Sequence, residues 1–374
     1  TARSPKEKIN LTDWKQMKIL MLVNWRVAYC DEAPADKQPP DYSVKGEDYW
    51  FFRHFREKPE VDVLDIRSFP WLEKFEKNKL HFYIWQALRA IPKLPRYDLI
   101  LSHGMQSAAV VCLWRRLFLT KAKHIVFDIG SFAGAAESGM VLKIMRFVSK
   151  SLDGLIYHTG SQKEYYHRFF PWIEEKAKFI RFGADFDFFT QGGESGDAPD
   201  GEMRPYIVCA GRSKCDWETT VAAFRATGLD MDLHLIGGRE ERFAGIPGVR
   251  QYPLLPVDAF MEQVQRATFC VLPLKPLPFS FGQMRLLQQM ALKKCVIVSN
   301  APSVRDYVRD GETAFVYSPG DTETLTRLMC RLAQNPTERE RVAAAAQVFV
   351  RTKCNERLMA QEIEAYIETV LARG

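Results

Sequence analysis

The stretch from Cys270 to Asp321, CVLPLKPLPFSFGQMRLLQQMALKKCVIVSNAPSVRDYVRDGETAFVYSPGD, constrains the fold more than any other part of the chain. It reads as strand, proline-rich loop, helix, strand, helix, strand, the repeating unit of a parallel α/β domain. The loop before the first helix is its most informative part. Ser280 stands at the expected N-cap, and Gly282, Gln283 and Met284 follow in a first turn whose amide N–H groups lack helical acceptors. Such a turn at the carboxyl end of a parallel strand suits phosphate, through amide donors and the helix dipole. Ser280 and Gln283 also form an S-x-x-Q capping box, which any helix can carry, so a purely local role stays open.

The same alternation fills the rest of the chain. In the first half, Met17–Val23, Val61–Ile66, Tyr97–Ser102, His124–Asp128 and Gly154–His158 read as apolar strands separated by helical stretches. Near-continuous apolar strands alternating with helices predict a parallel sheet covered on both faces. Thr190–Arg204 (TQGGESGDAPDGEMR) has no apolar period and reads as a linker. The pattern restarts with strands at Tyr206–Cys209, Met231–Ile236 and Gln251–Tyr252 and a helix at Asp216–Thr227, and two helices near Pro336–Val350 and Glu356–Leu371 close the chain. With 374 residues, 47% of them hydrophobic, two cores are expected. The fold class is therefore α/β: two doubly wound, Rossmann-like domains with a ligand cleft between their strand carboxyl ends.

Cysteine usage and charge narrow the setting. The eight cysteines are scattered without a C-x-x-C pair, so a reducing cytosol fits better than a disulfide framework or a zinc site. No apolar run has membrane-spanning length. The net charge of +6 is uneven, because residues 1–190 hold 30 Lys and Arg against 23 Asp and Glu. Within Lys79–His124 the bias sharpens to eight basic residues against Asp98 alone, interleaved with Phe82, Tyr83, Trp85, Trp114 and Phe118. This pattern suits an anionic bilayer or lipid phosphate better than nucleic acid. A solvated basic face over core-facing aromatics gives the same pattern. Val141–Leu152 raises the same pair of readings, with Lys143, Arg146 and Lys150 on one helical face and Leu142, Met145 and Leu152 near another.

Several short motifs occur in a fixed order. Gly211-Arg212-Ser213-Lys214 follows the strand YIVCA, and Ile236-Gly237-Gly238 follows MDLHL. Ser280–Ala291, Lys293–Ser299, Arg305–Val308, Asp310-Gly311 and Tyr317–Asp321 come next, and Arg181–Phe189 (RFGADFDFF) precedes them all. In this order the motifs resemble the GT-B glycosyltransferases, in particular the retaining, group 1 type that uses nucleotide-sugar donors. The resemblance is strongest over Tyr206–Tyr366. It implies an acceptor-side domain at 1–189, a linker at 190–204, a donor-binding domain at 205–350 and a helix at 351–374 that packs back on the first domain. It also implies a hexosyltransferase without metal or other cofactor. The implied partners are a nucleotide-diphosphate sugar and a saccharide acceptor, either lipid-linked or a polysaccharide, met in the cytoplasm or at the inner face of the membrane.

The resemblance assigns candidate roles residue by residue. Gly211, Arg212 and Lys214 would hold the diphosphate, Arg through bidentate contact and Lys as a point charge. The family places one Glu at the loop before the donor helix and a second eight residues on; this chain has Ser280 and Gln288 there. Gln288 retains hydrogen-bonding capacity toward a ribose, whereas Ser280 supplies no carboxylate, and Gln283 is the substitute within reach of the sugar. Asp128, after strand HIVFD, and His103, after YDLILS, are the catalytic candidates, with His158 behind them; the family often has a His where this chain has Phe127. Asn24, Trp25 and Arg26 would line the cleft, with Arg26 either meeting an acceptor phosphate or simply exposed. Gly46–Tyr49 is expected to open a helix whose acidic pair faces its positive end. The missing carboxylates leave a second function open, a non-catalytic GT-B-like subunit that binds a partner enzyme or a membrane.

Overall fold

The computed structural model describes residues 14, 17–118, 120–191, 204–211 and 214–373. The expected linker falls largely outside these residues, as do Arg212 and Ser213.

Two parallel sheets, each of six strands, form the frame. The first contains β1 (Lys18–Leu22), β2 (Glu60–Leu64), β3 (Leu99–His103), β4 (Lys123–Phe127), β5 (Gly154–Tyr157) and β6 (Ala177–Phe179), in the order β2-β1-β3-β4-β5-β6. The second contains β7 (Tyr206–Ala210), β8 (Asp232–Ile236), β9 (Val249–Tyr252), β10 (Phe269–Leu272), β11 (Val296–Ser299) and β12 (Phe315–Tyr317), in the order β9-β8-β7-β10-β11-β12. The apolar runs explain the central positions: β3 and β7 are buried along their whole length, as strands covered on both faces must be. The order reverses at β1/β3 in the first sheet and at β7/β10 in the second. A crevice opens at such a switch point, so the loops leaving these four strands are where a ligand is expected.

The chain crosses between the units twice at one place. Ala184 N–H donates to Cys354 O at 2.9 Å, and Glu356 N–H donates to Ala184 O at 2.8 Å. Arg53 bridges the crossing, with Nη2 2.6 Å from both Asp185 Oδ2 and Glu356 Oε1. Helix Glu356–Ala372 then lies on the first sheet, where Met359, Ile363, Tyr366 and Ile367 join the core of Ile19, Met21, Leu99 and Phe127. Tyr366 Oη accepts from Leu155 N–H at 3.0 Å and donates to the Lys176 carbonyl. The opposite face of the first sheet carries helices Ile84–Ala90, Met105–Leu117 and Gly139–Val148.

Three local expectations change. The helix expected over Val141–Leu152 is Gly139–Val148 followed by a single turn at Ser149–Ser151. Gly46–Tyr49 opens no α-helix: a 3₁₀ segment, Trp50–His54, follows, and Asp48 pairs with Lys58 at 2.8 Å instead of facing a helix end. Ser280 does not cap its helix, which begins at Gln283 with Gly282 as N-cap at φ +80°. A Cβ at Gly282 would lie 2.5 Å from Leu274 Cδ1, so the left-handed bend and the close approach both require glycine.

Candidate functional site

The loops leaving β7 and β10 are laced together on the second sheet. Asp216 N–H donates to Pro273 O at 2.6 Å, Lys275 N–H donates to Lys214 O at 2.9 Å, and Cys215 bridges to Leu274. This lacing places Lys214, itself in the left-handed region at φ +62°, beside the proline-rich loop. Its ammonium lies 4.2 Å from the centre of the Phe279 ring and 5.7 Å from that of Phe281. The rings displace water from the ammonium, which lowers its pKa below that of free lysine. Among the described residues Lys214 has no carboxylate partner, so its charge is held by π faces and not neutralised. Gly211 N–H donates to Ile236 O, which fixes the start of the same loop.

The helix Gln283–Ala291 starts alongside. The amides of Gly282, Gln283 and Met284 find no acceptor among the described residues, while Ser280 N–H donates across the cleft to Ile129 O at 2.9 Å. Gln283 is buried, and its Nε2 lies within hydrogen-bond distance of Thr159 Oγ1 (2.8 Å), Ser303 O (2.8 Å) and Ser280 Oγ (2.9 Å). The S-x-x-Q pair therefore meets through its side chains and ties the two units together, in place of a backbone cap. Gln288 is engaged as well. Its Nε2 donates to Gln38 Oε1 at 2.8 Å, and its Oε1 accepts from Arg285 Nη1 at 3.0 Å. Arg285 stacks on Phe260 at 4.2 Å.

On the first sheet, Asp128 is fully buried. Its Oδ2 accepts from Phe132 N–H at 2.8 Å and Tyr166 Oη at 2.7 Å, and its Oδ1 finds no partner among the described residues. Burial pushes its pKa up to about 6 against the pull of these hydrogen bonds. Asp128 thus clamps a bent loop in which Ser131, Phe132 and Ala135 take positive φ. That loop docks on the second unit through Ile129 O and through Ser131 Oγ, 3.3 Å from Pro278 O. The carboxylate itself is enclosed and does not open on the cleft.

His103 and His158 flank Phe127, each with ring centres 6.3 Å from it. His103 Nδ1 lies 3.2 Å from Asn24 Oδ1, and His158 Nδ1 lies 2.7 Å from Ile180 O, so both are held as neutral rings with Nδ1 protonated. Burial pushes their pKa down to about 3 and about 4. Such rings are weak bases at neutral pH. Trp25 packs edge-on to His103 at 4.5 Å and donates from Nε1 to Pro40 O.

Arg26 carries a bidentate pair with Glu73, its Nη2 2.6 Å from Oε2. It stands with Arg67, Lys37 and Arg285 around a cleft of about 540 Å³ between the units, closed from the second unit by Leu254–Val257. Residues 34–41 reach over this cleft as a strap. Tyr49 and Trp25 hold Pro40 O at its root, and Asp36 O accepts from Val257 N–H at its tip.

The structure thus brings Gly211, Lys214, Gly282, Gln283 and Met284 to one corner of the second unit. It sets His103, His158 and the enclosed Asp128 at the strand ends opposite. Two contributors, Gln38 and Thr159, had no local signal in the sequence. The aromatic spacing F-S-F around Ser280 was visible, but its meaning depends on where Lys214 folds.

Residues 204–335 match the family model described as Glycosyl transferases group 1. Among solved structures, a sucrose-phosphate synthase from Thermosynechococcus elongatus is 16% identical, with 96% of this chain and 100% of that chain covered at a TM-score of 0.68. HepE from Anabaena, solved in complex with UDP-glucose, is 12% identical, with 95% and 100% covered and a TM-score of 0.67. An α,α-trehalose-phosphate synthase (UDP-forming) from Burkholderia xenovorans, in complex with glucose-6-phosphate, is 13% identical, with 93% and 99% covered and a TM-score of 0.62. No curated protein matches the chain by sequence. The whole chain thus has the GT-B fold, and its second unit is the part that matches the Glycosyl transferases group 1 model, over residues 204–335.

Proposed function

We propose that this protein is a nucleotide-sugar-dependent hexosyltransferase that acts with retention on a saccharide acceptor. The observation that carries this reading is Lys214, a cation without a carboxylate partner among the described residues, beside the open amides of Gly282–Met284. In the reaction the bond from the anomeric carbon to the β-phosphate oxygen breaks, and its electron pair goes to the diphosphate. Lys214, Arg212 and the helix amides stabilise that charge without a metal. An acceptor hydroxyl attacks from the same face, and its proton passes to the departing phosphate. Two features support this assignment of the proton: His103 and His158 are depressed far below neutrality, and Asp128 is enclosed. On this reading Gln288 exchanges Gln38 for the ribose hydroxyls. Asp128 positions the loop that docks on Ser280, and His103 lines the acceptor face.

The setting proposed is the cytoplasm or the inner face of a membrane, in polysaccharide assembly with peripheral membrane contact. Eight free thiols fit a reducing compartment, and no helix among the described residues is long and apolar enough to cross a membrane. The cations around the 540 Å³ cleft suit an acceptor bearing a phosphate.

One observation favours a second reading, a non-catalytic subunit of the same fold. Ser280, Gln283 and Gln288 are all spent on contacts between the units. Incubation with a panel of uridine- and guanosine-diphosphate sugars separates the two. Slow donor hydrolysis supports the transferase, and absence of any nucleotide binding supports the subunit.

A further inference from the structure

The first unit exposes thirteen large apolar side chains among its described residues, and the second only three. Most of the thirteen lie in one layer, on the face of the first sheet opposite helix Glu356–Ala372. Helices Ile84–Ala90, Met105–Leu117 and Gly139–Val148 pack side by side there, and Phe69 joins the layer through Trp85, 5.6 Å between ring centres. Helix Gly139–Val148 shows the anomaly most clearly. It buries Leu142, Met145 and Val148 against the sheet and also exposes Met140, Ile144 and Phe147. A surface helix of a water-soluble domain puts polar side chains on its outer face.

The residues between these apolar side chains are basic. From Ile84 to Lys150 the chain has ten Lys and Arg against three Asp and Glu; Arg89, Arg115 and Lys123 are paired with Asp65 or Asp153, which leaves seven bases for the surface. Of the three acids, Asp128 is enclosed and Glu137 is paired with Arg168 at 3.6 Å. Arg116 reaches from one helix to the next, its guanidinium 5.2 Å over the Phe147 ring. Interfaces between proteins admit arginine, methionine and aromatics but are depleted in lysine at their centres, so Lys143 and Lys150 beside Ile144 and Phe147 favour a bilayer as the occupant. Protruding apolar and aromatic side chains among lysines and arginines match a headgroup layer over acyl chains.

We propose that this helix layer is a docking surface for an anionic lipid bilayer, with Ile144 and Phe147 inserting and Lys143, Arg146 and Lys150 meeting the headgroups. The proposal deepens the membrane part of the function proposed above. Trp71, 70% exposed, shares the short helix Pro70–Phe75 with Glu73, the partner of Arg26 at the rim of the cleft.

The test is co-sedimentation with vesicles of phosphatidylcholine alone or with about one-third phosphatidylglycerol, at low and high salt. The full chain is expected to pellet with the anionic vesicles and to be released by salt. Ile144→Ser/Phe147→Ser is expected to weaken the partition roughly tenfold or more, and Lys143→Glu/Arg146→Glu to abolish the preference for anionic lipid. All four positions are exposed, and thermal unfolding of the variants checks that they fold. Equal pelleting of wild type and variants, or none by either, overturns the proposal. So does a wild-type dimer in sedimentation velocity that Ile144→Ser/Phe147→Ser dissociates, which would make a second copy the occupant. Calorimetry of the same variants with uridine diphosphate keeps the two readings apart: intact nucleotide binding with no vesicle binding removes this surface only.

Discussion

The ammonium of Lys214 lies 4.2 Å from the centre of the Phe279 ring, on the loop that docks its Ser280 amide on the opposite unit. A π face orients a cation without neutralising it, whereas a carboxylate would compete with an incoming anion. The position of Lys214 is thereby linked to closure of the cleft.

Replacing the ring tests this link. Phe279→Leu keeps an apolar side chain of similar reach but loses the π face, and should weaken nucleoside-diphosphate binding by about fivefold, the equivalent of about 1 kcal/mol. Phe279→Trp should restore it. A titration calorimeter reads both, and equal losses in the two variants would assign Phe279 to packing alone.

Gln38→Ala removes the acceptor of Gln288 Nε2 from the strap. If a ribose takes that place, the variant should bind nucleotide several-fold more tightly, because binding no longer breaks a contact between the units. Weaker binding would mean that the strap contributes to the bound state.

Acid should destabilise the fold well above the range of ordinary carboxylates. His103, His124 and His158 are buried with lowered pKa, so the stability that they contribute is present above about pH 6.5 and is lost as pH falls toward 4. Asp128 opposes them. Its raised pKa means stability present at low pH and lost as pH rises through about 6. Three imidazoles outweigh one carboxyl, so denaturant unfolding should show a net loss on the order of 1–2 kcal/mol per unit between pH 6.5 and 5. Asp128→Asn should steepen that loss between pH 6 and 4.

The double crossing at Ala184 is tightly packed. A Cβ at Gly183 would lie 2.3 Å from Asn355 O, a backbone atom that cannot move without shifting helix Glu356–Ala372. Gly183→Ala should lower stability by at least ~1–3 kcal/mol, read in denaturant unfolding.

Most of the frame was legible in the sequence because its central strands, such as Met17–Val23 and Tyr206–Cys209, are apolar runs set by local chemistry, whereas the edge strand Ala177–Phe179 (AKF) carries no such run and was not expected. The loops after β7 and β10 could be named as a site for the same reason, since a switch point follows from strand order. What the residues do there was less legible. Ser280 reads as an N-cap by type, but Gly282 takes the bend because only it fits against Leu274. Gln283 and Gln288 read as ligand groups, but they are engaged by Thr159 and Gln38, more than a hundred residues away in the chain. Asp128 stands at a strand end, as a cleft residue would, yet Tyr166 and the Phe132 amide enclose it. Such partners come from tertiary packing and leave no periodic trace.

The most direct measurement is calorimetric titration of uridine and guanosine diphosphates into the wild-type chain and Lys214→Ala, with thermal unfolding of both. The wild type should bind one of them, and the variant should bind it at least roughly tenfold more weakly, as loss of a charge-assisted contact requires, while its unfolding temperature is unchanged. Equal affinities, or no binding to the wild type, would contradict the assignment of Lys214 to a diphosphate.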